Sequence, residues 1–380
     1  MSFKPKQGKP AKKVTNFDGV VVYIDGDMLA FMCASANEKA SIEVTHKSNP
    51  DKVLTFKSRT EFIGRSKVHF GGKVKIWNDK LKASGKKPYE RKDFTITDVY
   101  EVADSVHVKH SIKNRINEIL GHLGAPACKI VMGEGENFRH RIPLPKKYKH
   151  PRNDARRPDC LPIARRYIEE VYDTEVCHDI EADDRLSMIQ YQGWENKLDN
   201  GLCSTLVVAV DKDALQTNGM LFNPATVKGI FTKPDIMNIQ GLGKLYLSPK
   251  KEVKGHGRAW LYYQIAYGDK TDGYHPTAYF DKEFDEEGKQ INKIKSFGPL
   301  TILEKFIDCE TDAEYLQQLV YMYQESFPNG VQYTSHCGQE MDITAIEWMQ
   351  MIADCAFMQR WPDDRFNVQE TLDKLEINYA

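Results

Sequence analysis

The chain has 380 residues, a formal net charge of −1, 41% hydrophobic and 28% charged residues, and a mean hydropathy of −0.55. A chain of this length buries about three quarters of its unfolded surface and needs no disulfide staples, and no long uncharged apolar run is present to cross a bilayer. Eight Cys are scattered without a Cys-x-x-Cys pair, which argues against a zinc ribbon and for a reducing, cytoplasmic setting.

In chain order, residues 1–19 read as a flexible basic tail, rich in Lys and with no apolar core of the kind a secretory signal needs. Val20–Ile24 is a β-branched apolar run that predicts a buried parallel strand. Residues 41–98 lack clean periodicity and read as an irregular excursion with short helices. From Asp104 to Gly124, apolar residues at 112, 116, 119, 120 and 123 mark a helix ended by Gly. Lys129–Gly133 and Thr174–Cys177 predict a second and third strand, Glu181 opens a helix, and Thr205–Val210 is a fourth strand. Strands alternating with helices predict an α/β fold with an open, mostly parallel central sheet flanked by helices. Beyond residue 250 the texture turns helical, with helices expected over 258–267, 299–306, 313–325 and 343–359.

The neutral total hides strong local charge. Residues 139–166 hold ten Lys and Arg against two Asp, and residues 47–92 hold fourteen against four acids. Such a distribution suits a polyanion-binding face combined with an acidic site elsewhere, although a basic run is also an ordinary solvated face.

The acids follow the predicted strands. Asp25 and Asp27 end the first strand, Glu134 and Glu136 follow the second, Glu181, Asp183 and Asp184 follow the third, and Asp211 and Asp213 follow the fourth. In a parallel sheet those strand ends share one edge, where ligands bind. Asp211 and Asp213 share a side at spacing i, i+2, and Glu181 and Asp184 share a helix face. Two like charges about 4 Å apart repel by roughly 4 kcal/mol at an effective dielectric of 20. The cluster must therefore take up protons or divalent cations. Oxygen donors without His or Cys favour Mg2+ or Mn2+ over zinc. A count sufficient for two ions suggests phosphodiester hydrolysis. A single acidic pair after a strand is weak evidence, since acids often open helices; four successive ones are stronger. A fifth motif, Gly268-Asp269-Lys270-Thr271-Asp272-Gly273-Tyr274, follows a predicted helix and reads either as a polar turn or as a backbone nest for ions.

These motifs, joined by Asn137-Phe138-Arg139 and by Tyr148-Lys149-His150-Pro151-Arg152, occur in one order over about residues 20–310. In that order they resemble the flap endonuclease superfamily, most of all phage 5′→3′ exonucleases. The resemblance implies a PIN-like nuclease domain over 20–250, with a basic helical arch around 137–166. It further implies a helical region over 251–380 containing a helix-three-turn-helix DNA-binding element. It places Asp25, Glu181 and Asp183 at a first metal site with Asp184 at its edge, and Asp211, Asp213, Asp269 and Asp272 at a second. Glu134, which stands where the phage enzymes have Asp, is expected among the metal ligands. Lys149, Arg139 and Arg152 are expected to act on the scissile phosphate. Lys146, Lys147, Tyr148, Arg156, Arg157, Gly268, Thr271 and Gly298 are expected to hold nucleic acid. The implied cofactors are two Mg2+, with Mn2+ as a substitute and K+ at the helix-three-turn-helix.

The expected activity is 5′→3′ hydrolysis of double-stranded DNA to 5′-phosphorylated products. The same resemblance suggests flap endonuclease and ribonuclease H activity on RNA–DNA hybrids. It points to phage replication or recombination in host cytoplasm beside a polymerase or single-strand-binding protein. The best match to the family's second Gly-rich hairpin, Ser296-Phe297-Gly298, comes only after an inserted charged segment, 275–295. Two other readings compete. In a haloacid-dehalogenase-like phosphatase Asp25 would be a covalent nucleophile, which leaves the Glu181 and Asp211 clusters idle. A non-catalytic nucleic-acid-binding module would need the cluster to be incomplete.

Overall fold

β1 (Val21–Asp25) is apolar because it lies inside the sheet, with Val22 and Ile24 buried and Tyr23 half-buried, and it runs directly into α1 (Gly26–Ala36). The computed structural model describes residues 17–153, 155–226, 236–280 and 294–379. Most of the expected basic tail, and positions 281–293 of the inserted charged segment, lie outside these residues. After α1 come β2 (Glu38–His46), β3 (Asn49–Phe56), α2 (Arg59–Ile63), α3 (Gly72–Ala83), β4 (Phe94–Val102), α4 (Ser105–Leu123) and β5 (Cys128–Glu134). Next are α5 (Leu161–Val171), β6 (Thr174–His178), α6 (Ala182–Glu195), β7 (Thr205–Val208), β8 (Gly219–Phe222), β9 (Ile236–Ile239), β10 (Lys244–Leu247) and β11 (Val253–His256). The chain continues with α7 (Arg258–Tyr267), α8 (Pro299–Phe306), α9 (Asp312–Ser326), β12 (Val331–Thr334), β13 (Glu340–Ile343), α10 (Ala345–Ala356) and α11 (Val368–Lys374).

The chain divides into two units, one of residues 1–29, 114–156 and 168–380, the other of 30–113 and 157–167. In the first unit a six-stranded sheet has the order β6-β5-β1-β7-β8-β9. All neighbours pair in parallel except β8 and β9. This is the mostly parallel, helix-flanked sheet that the alternation predicts. The chain adds β5 and β6 on one side of β1 and then crosses to β7 on the other, so the crossover point lies at β1. Such points open a crevice beyond the C-terminal strand ends. Gly26 is needed just there: a Cβ on it would stand 2.4 Å from Met132 Cγ and 2.6 Å from Ile130 Cγ2. Only glycine lets α1 begin so close to β5.

The boundary expected near residue 250 is not where the units part. The helices beyond it share one core with the segment at 142–148, in which Ile142, Leu144 and Tyr148 pack with Trp260, Tyr274, Leu319 and Trp348. Nor is 137–160 a run of helix. Its described residues hold only two short 3-10 turns, Phe138–Arg141 and His150–Arg152. Pro143, Pro145, Pro151 and Pro158 remove backbone donors and interrupt any longer helix.

The second unit corrects the irregular reading of 41–98. β3, β2 and β4 form an antiparallel three-stranded sheet with one buried face. Ile42 and Val44 pack on Phe62 and Val74, walled by Phe56, Trp77, Tyr89 and Phe94. Only one face is covered and polar residues fill the other. Such a sheet would normally alternate cleanly, but only Ile42 and Val44 of β2 are buried and β3 and β4 have no buried residue, so the pattern spans few positions.

Candidate metal and phosphate site

The site is built in the first unit from the C-terminal edge of its sheet. Asp25, the last residue of β1, is buried, and its Oδ1 accepts from the Met28 N–H at 2.9 Å. Burial, followed by the nearby Asp27 and Asp211 charges, pushes its carboxyl up to about 7. Asp183, in the first turn of α6, is pushed well above the carboxylate range by burial and by Asp211, Asp25 and Glu181. Asp211 follows β7, and its Oδ1 accepts from the Asp213 N–H at 2.9 Å. Asp213 is buried, accepts from the Gln264 amide, and is raised by burial, Asp211 and Asp272. Acids from three different strand ends thus sense one another.

The other carboxylates already have cations. Glu181 accepts from Lys149 Nζ at 2.8 Å and from Asn137 Nδ2 at 2.6 Å. Burial works against its charge, but Arg139 and Lys149 prevail and hold it below the usual range. Asp269 pairs with Lys212 Nζ at 2.6 Å and accepts from the Thr271 N–H at 2.6 Å. It too lies below the usual range despite burial. Asp272 accepts from Tyr148 Oη at 3.0 Å and pairs with Arg152. Its carboxyl is nevertheless raised, because burial outweighs Lys149 and Arg152. The Asp269–Asp272 turn is closed by reciprocal backbone bonds between Asp269 and Tyr274. Gly273 has φ 69°, and a Cβ there would meet His150 Nδ1 at 2.6 Å.

Lys149 has a left-handed backbone, φ 59° and ψ 17°, costing roughly 1 kcal/mol for a residue with a Cβ. Its N–H donates to the Asp272 carbonyl at 2.7 Å. Although burial disfavours the ammonium, Glu181, Asp272 and Asp183 keep it protonated above its ordinary value.

Four expectations change. Arg139 is fully buried. Its Nη1 lies 2.5 Å from Asp184 Oδ2, its Nη2 3.0 Å from Oδ1, and its other donors reach the Cys355 and Phe357 carbonyls. A guanidinium sealed this way cannot touch a phosphate, and Asp184, also fully buried, is spent on it and on the Gln359 N–H. The pair anchors α6 to the segment after α10. Tyr148 is 2% exposed, so its ring belongs to the core and its hydroxyl positions Asp272. Gly268 is buried and donates its N–H to Gln264 at 2.7 Å.

Glu134 is exposed and 3.8 Å from His178 Nδ1, away from the mutual repulsion of the buried acids, and Glu136 pairs with Lys147. Asp27 accepts from the Gly133 N–H at 2.8 Å and ties α1 to β5. Lys146, Lys147, Arg152, Arg156, Thr271 and Gly298 are exposed in the first unit, and Arg157 is exposed in the second. Three participants have no role in the sequence motifs alone. Asn137 was read only as part of a motif, and Tyr274 has a fully buried hydroxyl with no hydrogen-bond partner among the described residues, beside Asp213, Asp269 and Asp272. Lys212 was visible only as the residue between two acids.

As the side chains stand, no three His, Cys, Asp or Glu among the described residues form a ready cage for an ion. The donor chemistry nonetheless fits a hard divalent cation. Asp25, Asp183 and Asp211 are all oxygen donors, lack a partner cation of their own, and are raised or crowded by one another. Tyr274 leaves a buried oxygen unsatisfied at the other end. Binding would need carboxylate rotations of the size that rotamer changes allow.

No protein-family model matches the chain, and no curated protein sequence does. Among solved structures the chain is similar to a bacteriophage T5 flap endonuclease in a pseudo-enzyme–product complex with DNA and metal ions. Identity is 15%, 70% of this chain and 88% of that one are covered, and the TM-score is 0.35. A structure of that phage protein co-crystallised with metal ions is 14% identical, covers 70% and 90%, and has a TM-score of 0.38. A bacteriophage T5 5′-exonuclease with bound zinc is 14% identical, covers 93% and 96%, and has a TM-score of 0.37.

Proposed function

We propose that the first unit is a divalent-cation-dependent nuclease that hydrolyses DNA from 5′ ends and leaves 5′-phosphorylated products. The observation that carries this reading is the meeting of Asp25, Asp183 and Asp211, from separate strand ends at the sheet crossover, without an ion-pair partner among the described residues. The order of the sequence motifs supports it as well. Mg2+, or Mn2+ in its place, would be held by Asp25, Asp183 and Asp211. A second ion would be held by Asp213, Asp269 and Asp272, in competition with Lys212 and Arg152. Bound there, such ions lower the pKa of water and offset charge on a phosphate.

The chain's own residues supply the rest. Lys149, protonated and held by its strained backbone, faces the carboxylates, where an entering phosphate would meet it. There it offsets the charge that develops on the non-bridging oxygens. Water's oxygen joins phosphorus, the bond to the 3′ oxygen breaks, and that oxygen takes up a proton. Glu181 and Asn137 orient Lys149; Arg139 and Asp184 fix the helix that carries Asp183. Lys146, Lys147, Arg152 and Arg156 would contact backbone phosphates, which weakens binding as salt rises. The turn at Gly268–Tyr274 would form part of a helix-three-turn-helix that grips duplex without reading bases. Flap cleavage, hydrolysis of RNA in a hybrid and a role in phage replication belong to the same reading.

The test is degradation of a 5′-labelled duplex with Mg2+ by the parent, Asp211→Asn and Lys149→Ala. Each variant should lose at least about 10²-fold in rate, the scale for removing one preorganised electrostatic group. Undiminished hydrolysis by both would refute the assignment. Release of phosphate from small monoesters with DNA left intact would establish a phosphatase instead.

A further inference from the structure

The two units carry opposite charge. Residues 30–113 and 157–167 hold twenty Lys and Arg against eleven Asp and Glu, whereas the remainder holds thirty-three against forty-three. The net charge of the acidic unit disfavours a polyanion away from its cation site and its basic run at 139–156, so a separate basic unit is well suited to hold more of it.

Within the basic unit the charge has a definite seat. One side of α3 is fixed to the core: Val74 is fully buried, Trp77 stacks edge-on with Phe62, and the Asn78 side chain bonds both the N–H and the carbonyl of Tyr89. At 100° per residue, Lys73 and Lys80 then lie along one flank of the outward face, and Lys75 and Lys82 along the other. Between them is a strip of Ile76, half exposed, and Asp79. The four lysines are exposed, and none has an ion-pair partner among the described residues. The loop leading into the helix, 64–71, is held rigid. Arg91 donates to the Ser66 carbonyl at 2.6 Å and lies 5.0 Å over the Phe70 ring, while Ser66 Oγ accepts from the Val68 and His69 N–H groups.

We propose that the outward face of α3 is a second nucleic-acid-binding surface, which takes the phosphate backbone of a duplex between its two lysine rows. Seven residues of helix advance about 10 Å, so each row spans about three phosphates of one strand at 3.4 Å of axis each. Lysine reads charge and not base edges, so the contact is indifferent to sequence. The choice of nucleic acid over other polyanions rests on the nuclease reading above; the presence of the surface does not.

The experiment is equilibrium binding of a fluorescent duplex to the full chain in EDTA, where hydrolysis is suppressed, across a salt series. Its outcome is separable from the fate of the nuclease reading, which is decided by cleavage with Mg2+. Replacing Lys73, Lys75, Lys80 and Lys82 by Gln should weaken binding at least about tenfold near 0.1 M salt. It should also reduce the slope of log K against log salt by about 2 to 4, since each phosphate contact contributes about 0.9. The half-variants Lys73/Lys80→Gln and Lys75/Lys82→Gln should each lose about half of that slope, which guards against a misfolded quadruple variant. A charge-matched control, Lys39, Lys47, Lys52 and Lys57→Gln, should keep its slope. An unchanged slope in the α3 variants, or an equal loss in both sets, overturns the assignment to α3. Loss of binding to phosphatidylglycerol vesicles with duplex binding intact overturns it in favour of a membrane surface.

Discussion

Without divalent cations, Asp25 should make the protein less stable as pH rises, and the amount follows from its surroundings. In the unfolded chain its carboxyl titrates near the ordinary value of 3.8; in the folded protein, burial and then the Asp27 and Asp211 charges hold it at about 7. Between these values the folded state binds the proton that the unfolded state has released. Stability is therefore lost from about pH 4 to about pH 7. One pH unit of displacement is worth about 1.4 kcal/mol, which sets a ceiling of about 4 kcal/mol. His275, which burial lowers to about 4, acts in the opposite sense, because its neutral folded form gains stability as pH rises towards 6.5. His256 acts the same way. The observable is consequently the difference between the parent and Asp25→Asn, whose Oδ1 can still accept from Met28. Urea unfolding in EDTA at pH 4, 6 and 8 should show the variant gaining on the parent as pH rises and exceeding it by up to about 4 kcal/mol at pH 8. Saturating Mg2+ should remove most of that difference, since a ligand at 100 times its Kd stabilises the parent by about 2.7 kcal/mol. Parallel pH profiles for the two proteins would show that Asp25 does not sit among uncompensated carboxylates, and the site would have to be redrawn.

Arg139→Ala should cost about 3–5 kcal/mol because it strands Asp184 in the core; Arg139→Met combined with Asp184→Leu should recover most of that loss in urea midpoints. Lys212→Met should tighten divalent-cation binding in calorimetry by removing the ammonium that now occupies Asp269; unchanged binding would place no ion at that end. Gly193→Ala should destabilise by about 1–3 kcal/mol through overpacking, since a Cβ would stand 1.9 Å from Thr205 Oγ1. Gly121→Ala, in open space on α4, should stabilise by up to about 1 kcal/mol.

Local pattern determined much of this protein. The apolar runs at 20–24, 129–133 and 205–210 become β1, β5 and β7 because a parallel sheet covered on both faces tolerates nothing but apolar strands. The acids at their ends share one edge because parallel strands all finish on the same side. Helices at 104–124, 258–267 and 299–306 show in their periodicity for the same reason. Only the tertiary structure decided which charges are free. Arg139 reads in sequence like any other member of a basic run, yet it is sealed against Asp184. Lys149 and Lys212 become partners of Glu181 and Asp269 through contacts 32 and 57 residues apart. The sheet at 38–102, the core shared by 142–148 and the late helices, and the division into an acidic and a basic unit were equally hidden. Periodicity records which face of an element is covered, whereas pairing between distant segments depends on where the whole chain folds each one.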